Sequence, residues 1–189
     1  MSGNIYLYIG IGVFVLAVIL MYNSLIYRKN QIENIKGSID ALLKKRFDLI
    51  PNLVKTVKEY MNYEKEVLQK ITELRTLAMK EEDLSKKIEY EDKLNSLLSK
   101  LFVNVENYPE LKASANFLQL QNELSDIESQ IAAARRAYNQ VVTDYNNAIE
   151  MFPTNIMAKL MHLKREKVFE IPENQRKNID VGDIFGSNL

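Results

Sequence analysis

The side chains that most often carry out chemistry are sparse in this sequence. It has one histidine, His162, and no cysteine, which excludes thiol nucleophiles, disulfides and thiolate metal sites from the chain. A histidine that binds a metal or acts as a general base works with other groups, and no H-E-x-x-H motif accompanies this one. We therefore interpret His162 as a surface or packing residue.

Carboxylates are plentiful, but their spacing does not indicate a reaction. They alternate with lysines, as at Glu59, Glu64 and Lys65, in the manner of a solvated helix face. A di-metal carboxylate bundle would need Glu-x-x-His pairs on facing helices, and the sequence has none. It also lacks a glycine-rich phosphate loop and a nucleophile elbow. The sequence predicts no catalytic residue, no cofactor and no metal site, and thus a protein that is not an enzyme.

Two polar clusters interrupt an otherwise apolar pattern. The first surrounds a proline and contains Arg46, Asp48, Pro51 and Asn52. The second contains Arg135, Tyr138, Asn139, Tyr145 and Asn146. A spacing of seven residues places the two tyrosines, and likewise the two asparagines, on one edge of a helix. These side chains form either a docking surface or a polar layer that fixes the register of neighbouring helices.

The elements that position these residues start with an uncharged N-terminal segment. The first 27 residues contain no Asp, Glu, Lys, Arg or His, and residues 5–27 are apolar except for Asn23 and Ser24. At about 1.5 Å per residue, this run crosses a hydrocarbon core of about 30 Å as one helix. A signal peptide would have a basic start and a small-residue cleavage site, which are missing here. We predict a membrane-spanning anchor at residues 1–27 that contacts lipid.

The charges around this segment predict its orientation. Arg28 and Lys29 follow the segment directly, whereas no Lys or Arg precedes it. Because basic residues near a span stay on the cytoplasmic side, we expect a single-pass protein of the cell membrane with an outside N-terminus and a cytoplasmic body.

The remaining 160 or so residues are enough for one domain with a real core. The chain has 25 basic and 25 acidic residues, so its net charge does not favour binding to nucleic acid. It has only 6 glycines and 4 prolines, which is typical of a mostly helical protein.

Apolar residues recur at steps of three and four along three segments. The first stripe runs from residue 32 to residue 71, with a polar gap at Glu64, and Pro51 lies within it. Pro51 either kinks one long helix or marks a turn between two, and the unbroken phase of the stripe favours a kink. The second stripe follows an N-cap predicted at Asp83 and ends near Pro109.

The third stripe, from residue 113 to residue 148, is the most regular and ends at Phe152-Pro153. A short amphipathic stretch follows at residues 155–163, and the residues from Pro172 onward are polar and aperiodic. Segments of this kind bury their stripes only against each other. The sequence therefore predicts an all-α fold, in which the transmembrane helix precedes an antiparallel up-and-down bundle of three to four long helices at residues 28–163. Residues 164–189 are predicted to form a polar, flexible tail.

Several separated motifs resemble those of the LemA family. They are Tyr22-Asn23, Arg28 with Asn30, KRFDLIPNLV at residues 45–54, VENYPELK at 105–112, ARRAYNQVVTDYN at 134–146, and Phe152-Pro153-Thr154-Asn155. The chain departs from the family at residues 161–165, where a Phe-centred stretch is replaced by Met-His-Leu-Lys-Arg. The resemblance implies a single-pass bacterial membrane protein with a helical body, whose relatives include proteins needed to form magnetosome membranes. It implies no reaction.

Three functions fit these observations. The first is a membrane-anchored scaffold or adapter without catalytic activity, which binds an unidentified protein partner or further copies of itself. The second is a membrane-remodelling factor whose bundle packs along the bilayer. The third is an accessory subunit or sensor of a membrane enzyme. A basic amphipathic face lying on lipid would favour the second function, and an apolar patch away from the membrane would favour the first.

Overall fold

A computed structural model describes residues 2–61 and 65–169 and confirms the all-α prediction, since these residues contain no strand. Within these two ranges, four long helices and two short ones follow each other. They are α1 (Ser2–Tyr60), α2 (Lys65–Lys80), α3 (Leu84–Val105), α4 (Pro109–Lys112), α5 (Ala115–Glu150) and α6 (Thr154–Leu160).

Helix α1 has an exposed apolar part and a buried amphipathic part. Except for half-buried Val18, the large apolar side chains that the structure describes between Tyr6 and Leu20 are exposed, whereas Leu25 is fully buried and Ile32 follows it into the core. Within the described residues, α1 is the one helix that is long and apolar enough to cross a membrane. One helix thus combines a candidate transmembrane span with the first helix of the bundle.

The bundle has an up-and-down topology, which three pairs of residues define. Arg75 of α2 bonds to Phe47 of α1, Lys87 of α3 pairs with Asp40 of α1, and Arg135 of α5 pairs with Asp92 of α3. With α1 running away from the apolar segment, α2 therefore returns, α3 runs parallel to α1, and α5 returns again. The close backbone contacts pair α1 with α5 and α2 with α3.

The helix boundaries confirm one prediction and correct another. Helix α1 continues without interruption through Pro51, as expected for a kink rather than a turn. However, the first apolar stripe belongs to two helices, because α1 ends at Tyr60 and α2 begins at Lys65. Met61 and Leu68 are seven residues apart, so the stripe keeps its phase across the break. Periodicity alone therefore could not distinguish one helix from two antiparallel ones.

Local signals in the sequence explain the other helix ends. The Asp83 side chain accepts a hydrogen bond from the Lys86 N–H at 3.0 Å, which confirms the predicted N-cap of α3. Helix α3 ends at Val105, shortly before Pro109, which begins α4. The short stretch predicted after residue 155 is helix α6.

The core consists of the apolar stripes of the four long helices. Its largest fully buried side chains are Phe47, Phe117, Leu25, Ile32, Ile39, Leu43, Ile50, Leu53, Met61, Leu68, Ile71 and Leu94. Phe102 and Phe117 pack edge to face, with ring centroids 6.1 Å apart, and join the end of α3 to the start of α5. These contacts build an elongated bundle.

After α6 the chain continues in an extended conformation beside α5. His162 has a φ of 52°, the Leu163 N–H donates to the Ala158 carbonyl, and the His162 N–H donates to that of Lys159. This is a Schellman motif with histidine at the left-handed position where glycine is most common. Residues 164–169, which the sequence assigned to the tail, lie against α5. The rest of the predicted tail, including Pro172, lies outside the described residues.

Candidate functional site

A ladder of side chains on α5 holds the extended segment by its main chain. The Asn139 amide donates to the Phe169 carbonyl at 2.9 Å, and its oxygen accepts the Phe169 N–H at 2.8 Å. Two helical turns further along α5, the Asn146 amide donates to the Glu166 carbonyl at 2.9 Å, and its oxygen accepts the Glu166 N–H at 3.0 Å. Each asparagine side chain therefore pairs with both the N–H and the carbonyl of one residue of the segment, as the main chain of a neighbouring β-strand would.

Two tyrosines complete this arrangement, which we name the α5 ladder (Tyr138, Asn139, Tyr145 and Asn146). The Tyr138 hydroxyl donates to the Lys167 carbonyl at 3.2 Å, and the Tyr145 hydroxyl donates to the Lys164 carbonyl at 3.1 Å. Burial raises the pKa of both phenols, so both remain protonated donors at neutral pH. The ladder thus provides hydrogen-bond partners for main-chain groups at four residues of the segment.

The match between ladder and segment follows from helix and strand geometry. Seven residues of helix advance about 10.5 Å, and three residues of extended chain, from Glu166 to Phe169, advance about 10 Å. The Phe169 ring packs on the Tyr138 ring with centroids 4.3 Å apart. From the opposite side, Lys36 of α1 lies 3.8 Å from the Glu166 carboxylate. The segment therefore contacts α1 as well as α5.

The sequence identified the ladder residues by their repeat but offered two other surroundings for them, a docking surface or an interhelical layer. In the structure they face the chain's own residues 164–169. No pattern in the sequence pointed to Glu166 or Phe169, because an extended segment bound by its main chain needs no particular side chains.

A second polar group lies inside the bundle, centred on Arg46 and Glu91. Both side chains are 3% exposed, and the Arg46 guanidinium contacts a Glu91 oxygen as an ion pair. Arg46 also donates to the Asn95 side chain at 3.0 Å, Asn95 donates to Glu128 at 2.7 Å, and Glu128 lies 3.7 Å from Arg46. We name this group the Arg46 network. It links α1, α3 and α5 at one level of the bundle.

Burial dominates the electrostatics of this network. It raises the pKa of Glu91 to about 7, although the Arg46 guanidinium acts in the opposite direction. The Glu91 Oε2 atom has no hydrogen-bond donor among the described residues, which agrees with a raised pKa. Glu91 was not among the predicted site residues, even though it takes the place of an apolar residue between Ile88 and Leu94, which was the signal available in the sequence.

The structure divides both predicted clusters. Arg135 pairs with Asp92 of α3 at 2.9 Å, beside the Arg46 network rather than in the ladder. In the first cluster, exposed Asp48 pairs with Lys44 at 2.8 Å. Asn52 lines an open groove of about 400 Å³ between α1 and the start of α5.

Pro51 has a structural consequence at the carbonyl of Phe47. A proline has no N–H to donate to the carbonyl four residues earlier, and here the Nε–H of Arg75 donates to that oxygen at 2.6 Å. Helix α2 therefore supplies the hydrogen bond that α1 lacks.

The sequence model of the LemA family matches residues 36–182. The chain belongs to the LemA family. It is 31% identical over 175 residues to "Protein LemA" of Metamycoplasma hominis, covering 92% of this chain and 80% of that protein. It is 20% identical over 183 residues to "Magnetosome protein MamQ 2" of Paramagnetospirillum magneticum, covering 83% of this chain and 67% of the relative.

In this LemA-family chain, the ladder, the Arg46 network and the proline site all lie within the matched range. His162, the single histidine, is exposed in the turn after α6. Across residues 2–61 and 65–169, no three His, Asp or Glu side chains are grouped so that they could hold a metal ion. The polar chemistry of the site is hydrogen bonding to main chain and pairing of buried charges.

Proposed function

We propose that this LemA-family protein is a single-pass, membrane-anchored adapter whose cytoplasmic bundle binds an extended segment of a protein partner and catalyses no reaction. The α5 ladder supports the proposal. Its asparagines pair with the N–H and the carbonyl of one residue each, so the ladder recognises an extended backbone rather than a particular side chain. The segment 164–169 is one ligand of this kind, already tethered to the bundle.

The hydrogen bonds that hold the tethered segment are individually weak enough for a partner to displace it. Each hydrogen bond contributes about 0.5–1.5 kcal/mol net, since water competes for the same groups. A tether of a few residues acts as an effective concentration in the millimolar range. A partner therefore binds the ladder when its additional contacts with α1 and α5 contribute more free energy than the tether gives to residues 164–169. An aromatic side chain placed like Phe169 would stack on Tyr138 in the same way.

Site-specific photocrosslinking in native membranes tests this proposal. A photoreactive amino acid at exposed Thr143, between Asn139 and Asn146 on α5, should capture a defined polypeptide other than the protein itself. Removal of residues 164–189 should increase this capture several-fold because the tethered competitor is gone. The double variant Asn139→Ala/Asn146→Ala should abolish it.

A matched control uses the same photoreactive group at exposed Thr76 on α2, where capture should not respond to either change. If the shortened protein captures nothing at Thr143, or captures the same polypeptide with both asparagines replaced, the adapter function is wrong.

Membrane remodelling remains a second candidate because two observations favour it. Apolar side chains are exposed where α5 meets α6. In addition, relatives of this chain include magnetosome proteins from Paramagnetospirillum magneticum and Magnetospirillum gryphiswaldense. This function would require the body itself to contact lipid.

A further inference from the structure

The corner between α5 and α6 presents large apolar side chains that the described residues leave uncovered. Phe152 is 79% exposed and Leu160 is 71% exposed, and Met151 and Ile156 are each exposed by more than half. We name these four residues the apolar corner. Outside the first 27 residues and this corner, Val103 is the only large apolar side chain among the described ones that is exposed to that degree. The corner is thus a local feature and does not reflect a generally apolar surface.

The register of the bundle places the apolar corner beside the end of the apolar run of α1. Arg46 of α1 lies level with Glu128 of α5, and Lys36 lies level with the Glu166 carboxylate beside the ladder. The two helices are antiparallel, so moving about ten residues from Lys36 toward the N-terminus of α1, or about 15 Å, leads to the last turn of α5.

The packing of α6 agrees with this register. Helix α6 contacts α1, and Leu25 is fully buried although its neighbours Asn23 and Ser24 are exposed. Since α5 ends at Glu150, Leu25 lies at the level where the chain turns into α6. The apolar corner therefore adjoins the position where Arg28 and Lys29 end the uncharged run of α1.

The charges around the corner fit the surface of a membrane. Residues 151–165 contain no Asp or Glu, and two of their three basic residues, Lys159 and Lys164, are exposed beside the corner. The third, Arg165, pairs with Glu150 at the end of α5. Apolar side chains flanked by basic ones are typical of segments that lie in the interface between water and lipid. There the basic groups reach the phosphates while the apolar groups enter the acyl boundary.

We propose that the apolar corner inserts into the interface of the same bilayer that α1 crosses, as a second lipid contact beside the transmembrane helix. This inference rests on the proposed membrane anchoring through α1. Two contact points on one rigid bundle fix its tilt relative to the membrane, which a single helical anchor does not. The occupant of the corner is lipid because the corner continues the exposed apolar surface of α1 at the same level.

Tryptophan fluorescence tests the inference, because the chain has no tryptophan of its own. The full chain with Phe152→Trp is reconstituted in vesicles of phosphatidylcholine and phosphatidylglycerol, with or without bromine at carbons 6 and 7 of the acyl chains. The brominated lipid should reduce the emission of this tryptophan at least twofold. Aqueous iodide should quench it several-fold less than it quenches the matched control.

The matched control is Val103→Trp. Val103 is 70% exposed, and it lies near the opposite end of the bundle, about 45 Å along the helices from Arg28. Its emission should respond to iodide and not to brominated lipid. A second control, Phe14→Trp, reports on the span itself and should be quenched strongly by brominated lipid.

The outcomes separate the inference from the function on which it rests. Quenching at Phe14 together with control-like behaviour at Phe152 overturns the apolar corner alone. Absence of quenching at Phe14 overturns the membrane anchor and the corner together. Protection of Phe152→Trp from iodide without quenching by brominated lipid means that protein covers the corner, such as a second copy of the chain, and this also overturns the inference.

A spin label at another residue keeps the inference testable if the Phe152→Trp variant misfolds. The chain has no cysteine, so Leu160→Cys carries a single nitroxide spin label. In the same vesicles, the ratio of its collision rates with oxygen and with a water-soluble nickel chelate should be several-fold higher than for Val103→Cys. Equal ratios at the two positions would overturn the inference.

Discussion

Arg75 donates its Nε–H to the carbonyl oxygen of Phe47 at 2.6 Å, and this is the carbonyl that Pro51 leaves without a helical donor. A gap in the hydrogen bonding of α1 is thereby closed by α2. The relationship explains how a proline lies inside a 59-residue helix, nine residues before its C-terminal end, without ending it. It also ties the position of α2 to one level of α1.

Replacing Arg75 by alanine should lower the free energy of unfolding by about 1–3 kcal/mol, because the Phe47 carbonyl would be left partly buried without a donor. In a Pro51→Ala background, the restored N–H bonds to Phe47, so the same substitution should cost at least about 1 kcal/mol less. A double-mutant cycle from urea unfolding measures this coupling. Equal costs in the two backgrounds would show that Arg75 stabilises the bundle by another route.

Replacing Asn139 or Tyr145 by alanine should lower the melting temperature measurably. Each substitution leaves main-chain groups of residues 164–169 unpaired, at a cost of about 1–3 kcal/mol where they stay buried. Thermal unfolding followed by circular dichroism measures the change. Arg136→Ala is the control, since Arg136 is exposed and is not one of the ladder residues. Variants that melt like the parent yet lose the crosslinked partner would assign the ladder to docking alone.

Glu91 should make stability depend on pH in the direction opposite to that of a carboxylate whose pKa is lowered by folding. Burial raises its pKa from 4.5 to about 7, so the folded state binds the proton more tightly than the unfolded state does. Stability from this group is present below about pH 4.5 and is lost as the pH rises through 7, at up to about 1.4 kcal/mol per pH unit.

Comparison with Glu91→Gln isolates this effect, because glutamine has no proton to lose. The stability of the parent relative to the variant should decrease between pH 5 and pH 7 in urea unfolding experiments. An increase over this range would mean that the ion pair with Arg46 outweighs the burial of Glu91.

His162→Gly should raise the free energy of unfolding by about 0.5–1 kcal/mol. His162 has a φ of 52°, a conformation that glycine adopts without the steric cost borne by other residues. Its side chain is exposed, so little packing is lost. His162→Ala retains the steric cost and serves as the control. A glycine variant no more stable than the alanine variant contradicts the prediction.

Protease added to intact cells should leave the body of the protein undigested, and digestion should require inside-out vesicles. The expectation follows from Arg28 and Lys29, which lie directly on the C-terminal side of the uncharged run. Immunoblotting against the bundle measures it. Digestion in intact cells would place the body outside.

The sequence alone determined the features that depend on local periodicity and on charge. The uncharged run, the apolar stripes of the long helices and the N-cap at Asp83 could be predicted because each depends on residues within a few turns of one another. The Tyr-Asn repeat of α5 was equally visible. The separation of α1 from α2 was not, since the apolar phase continues from Met61 to Leu68.

Only the tertiary structure decided what the polar residues contact. Arg46 and Glu91 are 45 positions apart in the chain, Phe47 and Arg75 are 28 apart, and Asn139 and Phe169 are 30 apart. Such pairs form because the helices are folded back in one particular register, which no local pattern encodes. The ladder in addition binds main-chain atoms, which are the same at every residue, so the sequence carries no signal for the segment that it holds.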